Sequence, residues 1–291
     1  GGAKFFRSRP ESEKIGFSGL MDHLYTCSCP VCVAEEKSVL TDFNLEEWVK
    51  EAVLKRIYEK FDVQNNIDPD LFRYTRDHLN DAVDKGFSLN VKFGDPDYVF
   101  LYELKRNNAV FAAFKTHRQQ NDLASLLIDE NGNQRSYNDF RKASEAVIGQ
   151  YNVNWMHTEY TTAVKAARMA ARFRRYMQDA DLYPNLRWLP SMAADPREAH
   201  MPYYNNVRAL SDPWWKTHYP GCVWGCQCDV ENTDDEITHI GDHPVTLQAT
   251  TKRTEQPVRA PGLDRNPAYT GSIFTPKHPY VTEAYPGAEK A

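Results

Sequence analysis

A chain of 291 residues can bury a sizeable core and holds, as a prior, one large domain or two ordinary ones. With 41% hydrophobic residues, 26% charged residues and a net charge of -5, it has the composition of an ordinary globular protein, and the bulk charge argues against indiscriminate binding to nucleic acid. No apolar run approaches the roughly 20 residues needed to cross a bilayer, and the opening residues lack the apolar core of a signal peptide, so cytoplasmic synthesis and no membrane partner are expected.

Residues 1–43 show no sustained period and read as an arm that carries Cys27, Cys29 and Cys32. A helical body follows over 44–183. Asn44 is placed to cap a helix in which Trp48, Ala52, Ile57 and Phe61 recur at helical intervals. Asp68-Pro69 opens the second helix, as N-cap and first-turn proline, and Gly86 stops it. From Asp97 to about Leu127, Tyr98, Leu101, Leu104, Val110, Phe111 and Phe114 fall at spacings of three and four. The run Asp129–Asn133 is a turn, and Ser136 caps a helix bearing Phe140, Ala143 and Val147. The longest helix runs from Asn154 to about Asp179, and its alanines permit another helix to approach closely.

After Pro184 the texture changes. Leu186–Leu189 is strand-like, prolines become frequent, and residues 184–234 read as a small α+β unit; residues 235–291 are polar and rich in Pro, Thr and Gly, and read as an extended tail. The fold class expected is α+β, predominantly α.

Two groups of residues stand out for their chemistry. Lys165, Arg168, Arg172 and Arg175 share one face of the longest helix, a stripe suited to DNA phosphates or an acidic partner, or simply to solvent. The six cysteines form two tight groups, Cys27, Cys29 and Cys32, and Cys222, Cys226 and Cys228, which read as metal ligands before they read as disulfides. Zinc needs about four ligands; three from one group leave the fourth to the other group, His23 or His200. A structural zinc is the cofactor expected, with disulfides and free thiols as the alternatives. The chain has no HExxH, GxSxG, Walker A or GxGxxG motif, so no small-molecule substrate is expected. A metal-dependent hydrolase or nuclease centred on His200 and the cysteines is the enzymatic alternative.

Arg197 with His200, then Asp212-Pro213-Trp214-Trp215, then Pro220-Gly221 and Trp224-Gly225-Cys226-Gln227-Cys228 form an ordered series. It resembles the phage Mu F-like head-morphogenesis family, with Arg197, His200, Asp212, Trp215 and Trp224 at the motif positions. Upstream, residues 107–116 and 151–160 resemble the helical part of members with a Cys-bearing N-terminal arm; downstream, Arg265-Asn266-Pro267 and His278-Pro279-Tyr280 are similar to their tail. The chain departs from the family with Ala193-Ala194 ahead of the histidine and Gln227 between the last cysteines, changes that touch a catalytic site more than a scaffold. The resemblance implies a non-enzymatic minor head protein inside the capsid of the virion, assembled in the bacterial cytoplasm. Its implied partners are the portal, other head proteins and, in some members, packaged phage DNA.

Overall fold

The computed structural model describes residues 16–25, 42–87, 91–193, 196–238 and 259–291. Its helices are α1 (Phe17–Tyr25), α2 (Glu47–Tyr58), α3 (Pro69–Phe87), α4 (Tyr98–Ser125), α5 (Tyr137–Ile148), α6 (Trp155–Gln178), α7 (Pro267–Thr270) and α8 (Pro279–Thr282). The Asp68 carboxylate accepts from the backbone N–H groups of Asp70 and Leu71, so α3 starts as its sequence dictates. Ser136 caps α5 by accepting from the Asp139 N–H while its hydroxyl donates to the Asp139 carboxylate. A π-helical turn over Gly149–Asn154 leads α5 into α6.

One helix reading changes. Asn44 does not cap α2; its backbone and side-chain nitrogens both donate to Asp42, the helix begins three residues later, and Trp48 is 62% exposed while Val53, Leu54 and Ile57 face the core. Gly86 falls in the last turn of α3, which ends at Phe87 as the sequence suggests, and it also serves packing. A Cβ there would stand 2.3 Å from the Val164 carbonyl oxygen and 2.8 Å from the Ala167 Cβ, so its absence lets α3 and α6 come together.

Antiparallel strands β1 (Asn185–Leu189), β2 (Val207–Ala209) and β3 (Asp229–Thr233) form a sheet in the order β2-β1-β3. The register pairs Trp188 with Val230 and Leu186 with both Arg208 and Asn232. Leu186, Trp188 and Val230 are fully buried and join the sheet to the core of α3, α4 and α6. The fold is thus predominantly α with a small antiparallel sheet. A second, smaller cluster links α2 to α5 through Leu54, Ile57, Leu71, Leu123 and Phe140.

Residues 259–291 differ from the extended tail read in the sequence. They carry α7 and α8, and Leu263, Ile273, Phe274 and Tyr280 lie in the main core. Each short helix is opened by proline at its first turn and capped by a side chain, Asn266 onto the Ala268 N–H and His278 onto the Tyr280 N–H. Phe274 stacks on Phe111 of α4 at 4.0 Å between ring centroids, and its backbone exchanges hydrogen bonds with the Asn107 side chain. The proline and threonine content that suggests a tail instead builds turns around buried aromatics.

Candidate metal centre and buried charge network

His200 sits in a 3-10 turn over Glu198–Tyr203, its backbone N–H donating to the Arg197 carbonyl, and its ring meets Trp188 of β1 edge-on at 5.7 Å. The segment after Tyr219 folds back to meet it because Gly221 and Gly225 take φ of 92° and 66°, a region that favours glycine. Three sulfurs thereby surround one imidazole. Cys226 Sγ is 3.7 Å and Cys228 Sγ 3.5 Å from Nδ1, while Cys222 Sγ is 3.9 Å from Nε2. His200, Cys226 and Cys228 meet the geometry of a metal-holding group, and these three side chains and that of Cys222 are buried. Among the described residues no disulfide joins these cysteines to one another. Cys27, Cys29 and Cys32 lie outside the described residues.

The electrostatics suit a cation. Burial opposes a charged His200, yet the Cys222 and Cys226 sulfurs outweigh it and hold the ring well above its usual pKa. The neighbouring Cys228 lowers Cys226 well below the usual thiol value against the effect of burial, while Cys226 and burial together push Cys228 up. A soft divalent ion would bind in place of the protons that these groups hold. Two thiols and an imidazole are a donor set that fits zinc.

The other motif residues serve the architecture. The Arg197 guanidinium donates to the Trp224 carbonyl at 3.0 Å. Asp212 accepts from the Trp214 N–H and, with Pro213, opens the turn that carries Trp214 and Trp215. The Trp215 indole donates to the Ala209 carbonyl, and Trp224 stacks on Phe274. These contacts shape a core. A 520 Å³ cavity lies between Gln64–Asn65 and residues 281–290, and none of its lining residues belongs to the thiol cluster.

The basic stripe is broken. Arg172 donates to both oxygens of Asp229, to the Val230 carbonyl and to Tyr176, so it fastens β3 to α6 instead of facing a partner. Arg168 and Arg175 are exposed and Lys165 is half-buried.

Sequence reasoning missed a second polar centre. Lys115 of α4 and Glu159 of α6 are both fully buried, with Nζ 2.5 Å from Oε2. The other carboxylate oxygen accepts from the hydroxyls of Tyr25 and Tyr280, each at 2.9 Å. His278 completes the set: its Nδ1 accepts from the Tyr280 N–H, which leaves Nε2 to donate to the Tyr25 oxygen at 3.0 Å. Burial lowers the Lys115 pKa and raises that of Glu159, each opposed by its partner. A signal was present, since Lys115 lies four residues after Phe111, and Glu159 four before Ala163, on the core faces of their helices.

No family model and no solved structure matches the chain. Two curated relatives do. Over 105 residues, 36% of the chain, it is 31% identical to the protein named capsid assembly protein F of Escherichia phage Mu. Over 103 residues, 35% of the chain, it is 29% identical to the Mu-like prophage FluMu F protein of Haemophilus influenzae. Part of this chain is thus similar in sequence to these two F proteins. The matched stretches are 21% and 22% of those relatives, so the chain spans about a fifth of the length of the curated relatives it matches. Among the described residues, no helix is long and apolar enough to cross a membrane.

Proposed function

We propose that this chain is a phage minor head protein that acts in head morphogenesis and performs no catalysis. The observation that carries this reading is the identity of about 30% to two F proteins, one of them named for capsid assembly. The burial of His200 and its three cysteines supports a scaffold, because a catalytic zinc or a nucleophilic thiol needs an approach for substrate. One structural zinc ion is the cofactor assigned, and Cys27, Cys29 and Cys32 support a reading within the branch that has a Cys-bearing arm.

The site of action is the capsid interior at the portal vertex, with the portal and other head proteins as partners. Packaged DNA is a further partner, met through the exposed Arg168 and Arg175 with the half-buried Lys165 beside them, since cations gain affinity from phosphates by counterion release. The test is genetic. Deleting the coding region from an inducible phage or prophage should yield defective or empty heads, with wild-type protein supplied in trans restoring them; normal heads and normal titre without it would overturn the proposal.

A further inference from the structure

We infer that Cys222 is the fourth zinc ligand, so that His200, Cys222, Cys226 and Cys228 form a closed set, and that Arg265 balances its charge. This rests on the zinc reading above and adds to it which residues hold the ion.

Bond lengths of about 2.3 Å to sulfur and about 2.0 to 2.1 Å to nitrogen put tetrahedrally arranged sulfur and nitrogen ligands about 3.6 Å apart. Cys226 and Cys228 stand at 3.7 and 3.5 Å from Nδ1, so that edge of the ring already has the spacing of a bound ion. Three ligands leave zinc an open position, which is normally filled by water. Cys222, 1% exposed, stands 3.9 Å from Nε2, the opposite ring nitrogen, and is the nearest further sulfur among the described residues. Turning its side chain toward the Nδ1 edge closes the set.

Charge provides the independent argument. Arg265 is 3% exposed, and its guanidinium donates only to carbonyls, those of Gly221, Leu263, Ser272 and Ile273. Among the described residues no carboxylate lies within ion-pair distance of it, and the neighbouring Asp264 is engaged by Lys277 and Thr275. A buried cation needs a buried anion. Cys222 is one residue from the Gly221 carbonyl that Arg265 grips, which sets the guanidinium beside the thiol cluster. Zinc with three thiolates and a neutral imidazole carries one net negative charge, which matches one guanidinium; zinc with two thiolates and an imidazole carries none.

The intact protein is purified without chelator, its zinc counted, and zinc K-edge X-ray absorption recorded. The expected result is one zinc per chain with three sulfur neighbours and one nitrogen. Replacing Cys27, Cys29 and Cys32 together with serine should leave one zinc per chain, whereas Arg265→Gln should weaken zinc about tenfold or more in chelator competition, with Arg265→Lys recovering part of it. No zinc in the wild-type protein overturns the zinc reading itself. Zinc with two sulfurs, or zinc lost with the arm cysteines, overturns the closed set while leaving that reading in place. If Arg265→Gln does not fold, the sulfur count and the arm variant still decide.

Discussion

Replacing Lys115 with methionine leaves the Glu159 carboxylate fully buried with two tyrosine hydroxyls and no cation. Removing one partner of a buried pair costs about 3 to 5 kcal/mol, because the remaining charge has lost its compensation but not its desolvation. In a chain of this size each kcal/mol moves the melting temperature by roughly 2 to 4 °C, so Lys115→Met should melt about 10 °C below wild type. Glu159→Gln alone keeps an acceptor for both hydroxyls but strands the ammonium, and should cost a similar amount. Both changes together leave a neutral amide that still accepts from Tyr25 and Tyr280, and the double variant should recover about 2 kcal/mol or more relative to the sum of the singles. Urea unfolding of the four proteins measures the cycle. A Lys115→Met protein within about 0.5 kcal/mol of wild type, or strictly additive singles, would refute the idea that this pair fastens both terminal segments to the helices.

The remaining predictions use the same physics. Gly86→Ala should cost about 1 to 3 kcal/mol, read in the urea midpoint, since its Cβ would overlap the Val164 carbonyl. Arg172→Met should cost about 2 kcal/mol through the lost Asp229 and Val230 contacts, while Arg168→Ala and Arg175→Ala should each stay within about 0.5 kcal/mol; equal effects at all three would argue that Arg172 is only a surface charge. Burial, with Lys115 nearby, holds His278 well below its ordinary value of 6.5, so the ring is neutral in the fold and the unfolded chain takes up the proton. The stability that follows is present above about pH 6.5 and lost as the pH falls, by up to about 1.4 kcal/mol per pH unit, and His278→Gln should show a correspondingly shallower acid limb in melting curves between pH 7 and 5. Charge reversal at Arg168 and Arg175 should reduce DNA binding and flatten its salt dependence; unchanged affinity would remove DNA from the partners.

The helices were legible where local signals agreed. Asp68-Pro69 and Ser136 fix starts through caps that the chain itself supplies, and the alanine-rich α6 is helical by propensity and packing together. α2 was displaced because the short-range bond between Asn44 and Asp42 competes with capping, a choice that spacing does not reveal. α4 is the hardest case: Asn108, Lys115, Thr116, His117, Gln119 and Gln120 are buried in it while Val110 is half exposed, so its core face is marked by polar partners and not by hydrophobicity. The stretch after residue 258 was misread for a related reason, its aromatic residues being spaced by turns and not by a helical or strand period. At the thiol cluster the sequence offered the residue types, and the fold added a neighbour that spacing does not reveal: His200 stands with the Cys222 group. Arg265 and the Lys115–Glu159 pair had no sequence signature beyond a charge at a core position.

The central claim, that the chain is built into phage heads, is tested most directly by counting its peptides in gradient-purified, DNase-treated heads against those of the major capsid protein. The account predicts a small fixed number of copies per particle that stays with the head through the gradient; heads free of the chain, with all of it in the soluble fraction, would contradict it.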